Sequence, residues 1–131
     1  MSHDMNHLAW IKEQFQKKNT KVSYRNVLIH TSFMETVVKK EADQGRVDFD
    51  CAIKILRSNS RYNRTTIIEI DGLRKKRNKI IHELLKNNGL DEALINMTIK
   101  EMRGLLKNIY HNAPFVQRYF LNEYQIDTAQ F

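Results

Sequence analysis

Three residues of one predicted helix carry side chains that could act together on a phosphate group: Arg77, Asn78 and His82. A guanidinium presents several N–H donors in a fixed fork, which suits a phosphate. An imidazole titrates near neutral pH, so it can act as a general acid or base. Asn78 and His82 are four residues apart and share one side of a helix, where the amide can orient the imidazole. These residue types are sufficient for phosphodiester cleavage without a metal ion.

Arg77 occupies an unusual position on this helix. At about 100° per residue it falls in the middle of an apolar arc, which consists of Ile70, Leu73, Ile80, Ile81, Leu84 and Leu85. A guanidinium stays protonated in a protein and is costly to bury without an anion. Two interpretations follow. Arg77 forms a structural ion pair, with Glu35 or Glu69 as candidate partners, or it lies at a cleft where it meets a phosphate.

The positive charge of the chain is concentrated in residues 54–79. The chain has 22 Lys and Arg residues against 15 Asp and Glu, a net charge of +7, and this segment alone accounts for the whole excess. Such a patch attracts phosphates and raises their encounter rate. Its candidate RNA-binding residues are Arg61, Arg64, Arg74, Lys75 and Lys79. Charge alone does not separate RNA from DNA or from an acidic protein, and an ordinary solvated helix face is the alternative.

Apolar residues recur at helical spacing along the whole chain, and no segment shows the alternation of a strand. The predicted helices cover residues 4–18, 23–44 and 49–57, then a fourth helix that ends near residue 86, a fifth at about 92–110, and a short last helix that begins at Pro114. We therefore predict an all-α bundle of about five helices plus a short C-terminal helix.

Several residues predict where these helices begin and end. Asp48 and Asp91 are candidate N-terminal caps, and Gly45 stands where a left-handed residue is expected after the second helix. Thr66 and Glu69 have the spacing of a capping box at the start of the fourth helix.

Length and composition limit the class of protein. A chain of 131 residues is expected to form a single domain over residues 1–131. Four Gly and one Pro are too few for a many-stranded β-fold, and a single cysteine excludes an intrachain disulfide and fits a reducing compartment. No apolar run approaches a bilayer span, and the N-terminus lacks the layout of a signal peptide. We expect a cytoplasmic protein that does not enter a membrane.

The segment from Leu73 to Glu83, with Arg77, Asn78 and His82 in an Arg-x4-His arrangement, resembles the HEPN superfamily. The resemblance covers about residues 23–110 and includes the preceding long helix with Phe33-Met34-Glu35. It implies an α-helical bundle that forms homodimers, in which the Arg and His of both copies line one cleft.

The resemblance also implies an activity, which is metal-independent cleavage of RNA in a toxin or an antiviral effector. The 2′-hydroxyl of the substrate attacks the adjacent phosphate and leaves a 2′,3′-cyclic phosphate. His82 would be the acid or base, Arg77 would stabilise charge on the phosphate, and Asn78 would position His82 or the RNA. The expected partners are RNA, a second copy and an antitoxin or regulatory protein, with no metal or other cofactor.

One position departs from the family pattern, and two alternatives stay open. HEPN toxins that are neutralised by nucleotidyltransferase antitoxins carry a modified Tyr two residues after the His, where this chain has Leu84. Neutralisation by that route is therefore not expected. The first alternative is a non-catalytic HEPN-like module that binds a protein, nucleotide or nucleic acid. The second is an unrelated basic helical DNA-binding protein.

Overall fold

A computed structural model describes residues 24–85 and 91–130 of the chain, which form five α-helices and one short 3-10 helix. In chain order these are α1 (Tyr24–Asp43), α2 (Phe49–Arg57), α3 (Arg64–Leu84), α4 (Glu92–Asn112), α5 (Pro114–Tyr124) and the 3-10 helix (Thr128–Gln130). The described ranges contain no strand, so the predicted all-α fold is confirmed. The predicted helix at residues 4–18 lies outside these ranges. Within them, no helix combines the length and the apolar character needed to cross a bilayer.

The predicted caps of α2 and α4 are confirmed. The Asp48 carboxylate accepts a hydrogen bond from the backbone N–H of Cys51 at 2.7 Å, and the Asp91 carboxylate accepts one from Leu94 at 3.1 Å. Each bond satisfies an amide that has no partner within its own helix. Gly45 follows α1 with a φ of 87°, as expected for a residue that ends a helix in the left-handed region.

The predicted capping box at the start of α3 is wrong. The helix begins at Arg64, because the side-chain oxygen of Asn63 accepts hydrogen bonds from the N–H groups of Thr65 at 2.8 Å and of Thr66 at 3.3 Å. Asn is a strong N-cap, and here it precedes the predicted start by several residues. Thr66 consequently lies inside the helix and is buried.

Helix α3 packs against α1, α2 and α4, and most extensively against α4. The centre of the core also holds a buried polar pair. His30 Nδ1 of α1 lies 2.5 Å from the hydroxyl oxygen of Tyr110 on α4, and both residues are fully buried. Burial raises the pKa of the Tyr110 hydroxyl well above its ordinary value. The hydroxyl is therefore neutral and joins α1 to α4 across the core.

The last turns of α3 do not bury the face that the sequence predicts. Ile81, Leu84 and Leu85 are 44%, 50% and 75% exposed, whereas Ile80 and Glu83 are buried. Glu83 is buried near the start of α4, where its carboxylate accepts a hydrogen bond at 3.0 Å from the backbone N–H of Asp91, the residue that caps α4. The end of α3 thus presents an apolar surface that the described part of the chain leaves exposed.

Candidate functional site

The candidate site lies on the exposed surface at the end of α3, here termed the α3 end face, which consists of Asn78, Ile81, His82, Leu84 and Leu85. All five side chains are exposed. Asn78 and His82 stand one helical turn apart on one side of the helix, as the sequence predicts, and Ile81 and Leu85 lie beside them. Neither polar side chain forms a hydrogen bond or ion pair within the described chain. The imidazole and the amide are therefore free to meet a ligand.

Arg77 lies at the edge of the α3 end face, partly withdrawn from solvent. Its Nη1 donates a hydrogen bond to Glu35 Oε1, so the structure pairs it with one of the two candidate partners. The guanidinium also lies over the ring of Phe49, with Cζ 5.3 Å from the ring centroid. These side chains are 21% exposed for Arg77 and 26% for Glu35. Arg77 is thus anchored from α1 and α2 while part of its side chain remains accessible.

The Glu35 contact does not use every donor of the guanidinium. Arg77 Nε is buried and has no hydrogen-bond partner among the described residues. A buried donor without a partner costs about 1–3 kcal/mol. The contact with Glu35 therefore leaves one donor of Arg77 unsatisfied among the described residues.

Arg77 and His82 do not face the same point within one copy of the chain. Five residues of α-helix correspond to a rotation of about 140° and a rise of about 7.5 Å. The exposed apolar side chains of Ile81 and Leu85 occupy the arc between them. One copy therefore cannot easily direct both groups at a single phosphate, although two copies that meet along the apolar side chains could.

Much of the predicted basic patch is neutralised by two carboxylates. Arg74 and Lys75, both predicted to bind RNA, pair with Asp71 at 3.0 Å and 3.2 Å. Arg57 contacts the same carboxylate at 3.5 Å, and Asp50 lies 3.6 Å from Arg74. Burial opposes ionisation of Asp71, but the hydrogen bonds and positive charges of Arg74 and Lys75 outweigh it and hold the pKa of this carboxyl below its ordinary value. The contacts of Arg74 with Asp50 and of Arg57 with Asp71 therefore join α2 to α3, while Lys75 pairs within α3.

The other predicted RNA-binding residues lie at opposite ends of α3. Lys79 is exposed near the α3 end face and has no carboxylate within 4 Å among the described residues. Arg61 and Arg64 lie at the start of the helix, where Arg61 Nη2 donates to the Tyr62 hydroxyl at 2.8 Å and lies 3.9 Å from Glu41. Of these three residues, only Lys79 lies near Asn78 and His82.

The two carboxylates that organise this region, Asp50 and Asp71, were not predicted from the sequence. Asp71 precedes Arg74 by three residues and Lys75 by four, which is the spacing of helical ion pairs and a signal that was present in the sequence. Asp50 gave no such signal for its contact with Arg74, because the contact depends on how α2 packs on α3.

The described residues contain no cluster of three or more His, Cys, Asp or Glu side chains that could hold a metal ion. Comparisons with protein-family models, with curated protein sequences and with solved structures found no match to this chain.

Proposed function

We propose that the chain is a metal-independent endoribonuclease of HEPN type whose active site forms between two copies. The observation that carries the proposal is the α3 end face, where an exposed imidazole and an exposed amide stand beside an uncovered apolar surface and a partly accessible Arg77. Exposed apolar patches mark interaction sites.

A two-fold axis near Ile81 would complete the site. In such an interface each copy presents the same surface to the other, so residues that flank the axis in one copy meet their counterparts. Packing Ile81 and Leu84 of two copies together would remove apolar area from water, a favourable term of about 25 cal/mol per Å². His82 and Arg77 of opposite copies would then line one groove and overcome their separation on a single helix.

The chemistry follows from the groups in that groove. One His82 imidazole accepts the proton of the RNA 2′-hydroxyl as the 2′-oxygen forms a bond to the adjacent phosphorus. The bond from phosphorus to the 5′-oxygen breaks, and a protonated imidazole donates a proton to that oxygen. The guanidinium of Arg77 stabilises the negative charge on the phosphate oxygens, and Asn78 orients the imidazole or the RNA. The products are a 2′,3′-cyclic phosphate and a 5′-hydroxyl, and only RNA can react.

The biological setting of this proposal rests on the HEPN resemblance alone. An enzyme that cleaves RNA in the cytoplasm must be restrained, so we place it among toxins or antiviral effectors and expect an antitoxin or regulatory protein as a partner. Leu84 stands where related toxins carry a modified Tyr. We therefore expect restraint by binding and not by modification at this position.

A second candidate function is a non-catalytic helical module that binds a protein, nucleotide or nucleic acid. The observation that favours it is the anchoring of Arg77 by Glu35 and Phe49, which is also the arrangement expected of a structural ion pair. In that case the α3 end face would serve binding alone, and the protein would not turn over RNA.

The test of the proposed function is the chemical identity of the reaction products. Purified protein is incubated in chelator with a defined single-stranded RNA and with the same strand carrying 2′-deoxynucleotides. We expect cleavage of the RNA only, with cyclic phosphate and 5′-hydroxyl ends identified by mass spectrometry. Cleavage of both strands, or linear 3′-phosphates that form without a cyclic intermediate, would contradict the proposal. Absence of cleavage together with retained RNA binding would favour the second candidate.

A further inference from the structure

A polar groove lies at the opposite end of α3 from His82, between α2 and the start of α3. It encloses about 520 Å³ and is lined by Arg57, Asn59, Ser60, Tyr62, Arg64 and Ile68, among others. The loop between the helices forms one wall, and the first turns of α3 form the other. The groove therefore combines two guanidinium groups, an amide and a hydroxyl with apolar surface.

The two arginines of this groove are available to an anion. Arg64 is exposed and has no carboxylate within 4 Å among the described residues. Arg57 is 52% exposed and contacts Asp71 at 3.5 Å, but Arg74 and Lys75 already compensate that carboxylate. Arg57 can therefore turn towards a phosphate without leaving a buried charge unpaired. The first turn of α3 adds backbone dipoles that favour negative charge.

The apolar side of the groove is firmly held. The hydroxyl of Tyr62 donates to Glu41 Oε1 at 2.6 Å, and its ring packs edge-on against Phe115 with centroids 5.4 Å apart. Ile68, which lines the same groove, is 58% exposed. Arg61 also lies over this ring, with its Cζ 5.1 Å from the centroid, but it does not line the groove, where the ring and Ile68 are suited to contact the flat surface of a nucleobase.

We infer that this groove binds one nucleotide of a single-stranded RNA, with its base against Tyr62 and Ile68 and its phosphate on Arg57 and Arg64. The inference rests on the proposed function, because the ligand is the RNA strand that His82 is proposed to cleave. The rise of α3 places Arg64 about 27 Å from His82. A strand that occupies both sites must therefore span several nucleotides, and the groove favours long single strands over short ones.

The test measures binding separately from cleavage. Fluorescence anisotropy follows a labelled single-stranded RNA of about 16 nucleotides on the full chain carrying His82→Ala, which keeps the RNA intact. One double variant, termed the groove pair, carries Arg57→Gln and Arg64→Gln. It is compared with a charge-matched double variant, termed the matched pair, which carries Arg46→Gln and Lys100→Gln and so removes exposed cations outside the groove. Ile68→Ser tests the apolar wall without removing charge.

We expect the groove pair to weaken binding at least tenfold and to reduce the slope of log affinity against log salt by about 0.7, since the one lost phosphate contact of a single strand contributes about that much. The matched pair should weaken binding less than threefold, and Ile68→Ser should weaken it several-fold. Equal losses in both pairs would overturn the inference, as would preferential, groove-dependent binding of duplex DNA.

Cleavage by the protein with His82 intact separates this inference from the proposed function. If RNA is cleaved but the groove pair changes neither affinity nor cleavage of long strands, the groove inference fails and the proposed function stands. If the groove pair weakens binding but no RNA is cleaved, the groove inference stands and the proposed function fails.

Discussion

Arg77 is held in place by an anion and an aromatic ring at once, which explains how a guanidinium occupies a position that the helical pattern marks as apolar. Glu35 compensates its charge, and the Phe49 ring centroid lies 5.3 Å from its Cζ. Such pairs stabilise a fold modestly, because the desolvation of both ions offsets much of their attraction. The same anchoring would fix Arg77 before a phosphate arrives, which reduces the entropic cost of binding.

The pairing of Arg77 and Glu35 can be measured with a double-mutant cycle of Arg77→Gln and Glu35→Gln. We expect a coupling free energy of about 1–2 kcal/mol in urea denaturation, because both side chains are largely withdrawn from solvent. Lys39→Gln is the control for Glu35, since its Nζ lies 3.9 Å from Glu35 Oε2 and should couple weakly. A coupling no larger than that of Lys39 would show that the pair does not hold Arg77.

At the scale of the helices, caps that depend on neighbouring residues could be predicted, and orientations that depend on packing could not. Asp48 and Asp91 were found from local spacing. The start of α3 was misplaced because Asn63 and Thr66 are both good caps, and local pattern alone does not decide between them. The exposure of Ile81 follows from how α3 crosses α4. The bond between His30 and Tyr110 joins residues 80 positions apart. The sequence placed Asn78 and His82 on one side of the helix, but the exposure of the apolar side chains beside them could not be predicted.

Asp71 is expected to stabilise the junction of α2 and α3 in a pH-dependent manner. Its pKa is lowered in the folded state, so its contribution is present above the ordinary carboxyl pKa of about 3.9 and is lost as the pH falls through the lower folded value. Asp71→Asn should lower the free energy of unfolding by about 1–3 kcal/mol at neutral pH.

Urea denaturation at neutral pH and at about pH 3 measures this difference. The gap between wild type and Asp71→Asn should narrow in acid, while Asp43→Asn, which removes a pair with the 72%-exposed Arg46, should change stability by less than about 0.5 kcal/mol. A gap of equal size at both pH values would contradict the assigned role of Asp71.

At the scale of the whole molecule, the net charge of +7 is spread more widely over the surface than its concentration in residues 54–79 of the sequence suggests. Asp50 and Asp71 form ion pairs with the cations at the centre of the basic segment. The cations of this segment that remain available to a ligand therefore lie at the two ends of α3. The uncovered apolar surface lies at one of these ends, next to His82. The molecule is thus organised along α3, with the proposed reaction at the end of the helix and a proposed RNA groove at its beginning.

Dimer formation through the α3 end face is expected to be sensitive to a charge at Leu84. Leu84→Glu should weaken self-association at least tenfold, because it would place a carboxylate in an apolar interface. Leu121→Glu is the matched control, since Leu121 on α5 is 56% exposed and lies outside this face. Sedimentation equilibrium measures both. Wild type that remains monomeric at high concentration, or equal effects of the two variants, would contradict the proposed interface.

The most direct test of the central claim compares RNA cleavage by wild type, His82→Ala and His111→Ala. Both histidines are exposed, so neither substitution should change the free energy of unfolding by more than about 0.5 kcal/mol. We predict that His82→Ala reduces the cleavage rate by a factor of at least about 100, the lower range for loss of a general acid or base, while His111→Ala retains the wild-type rate. Cleavage that persists in folded His82→Ala would contradict the assignment of the active site to the end of α3.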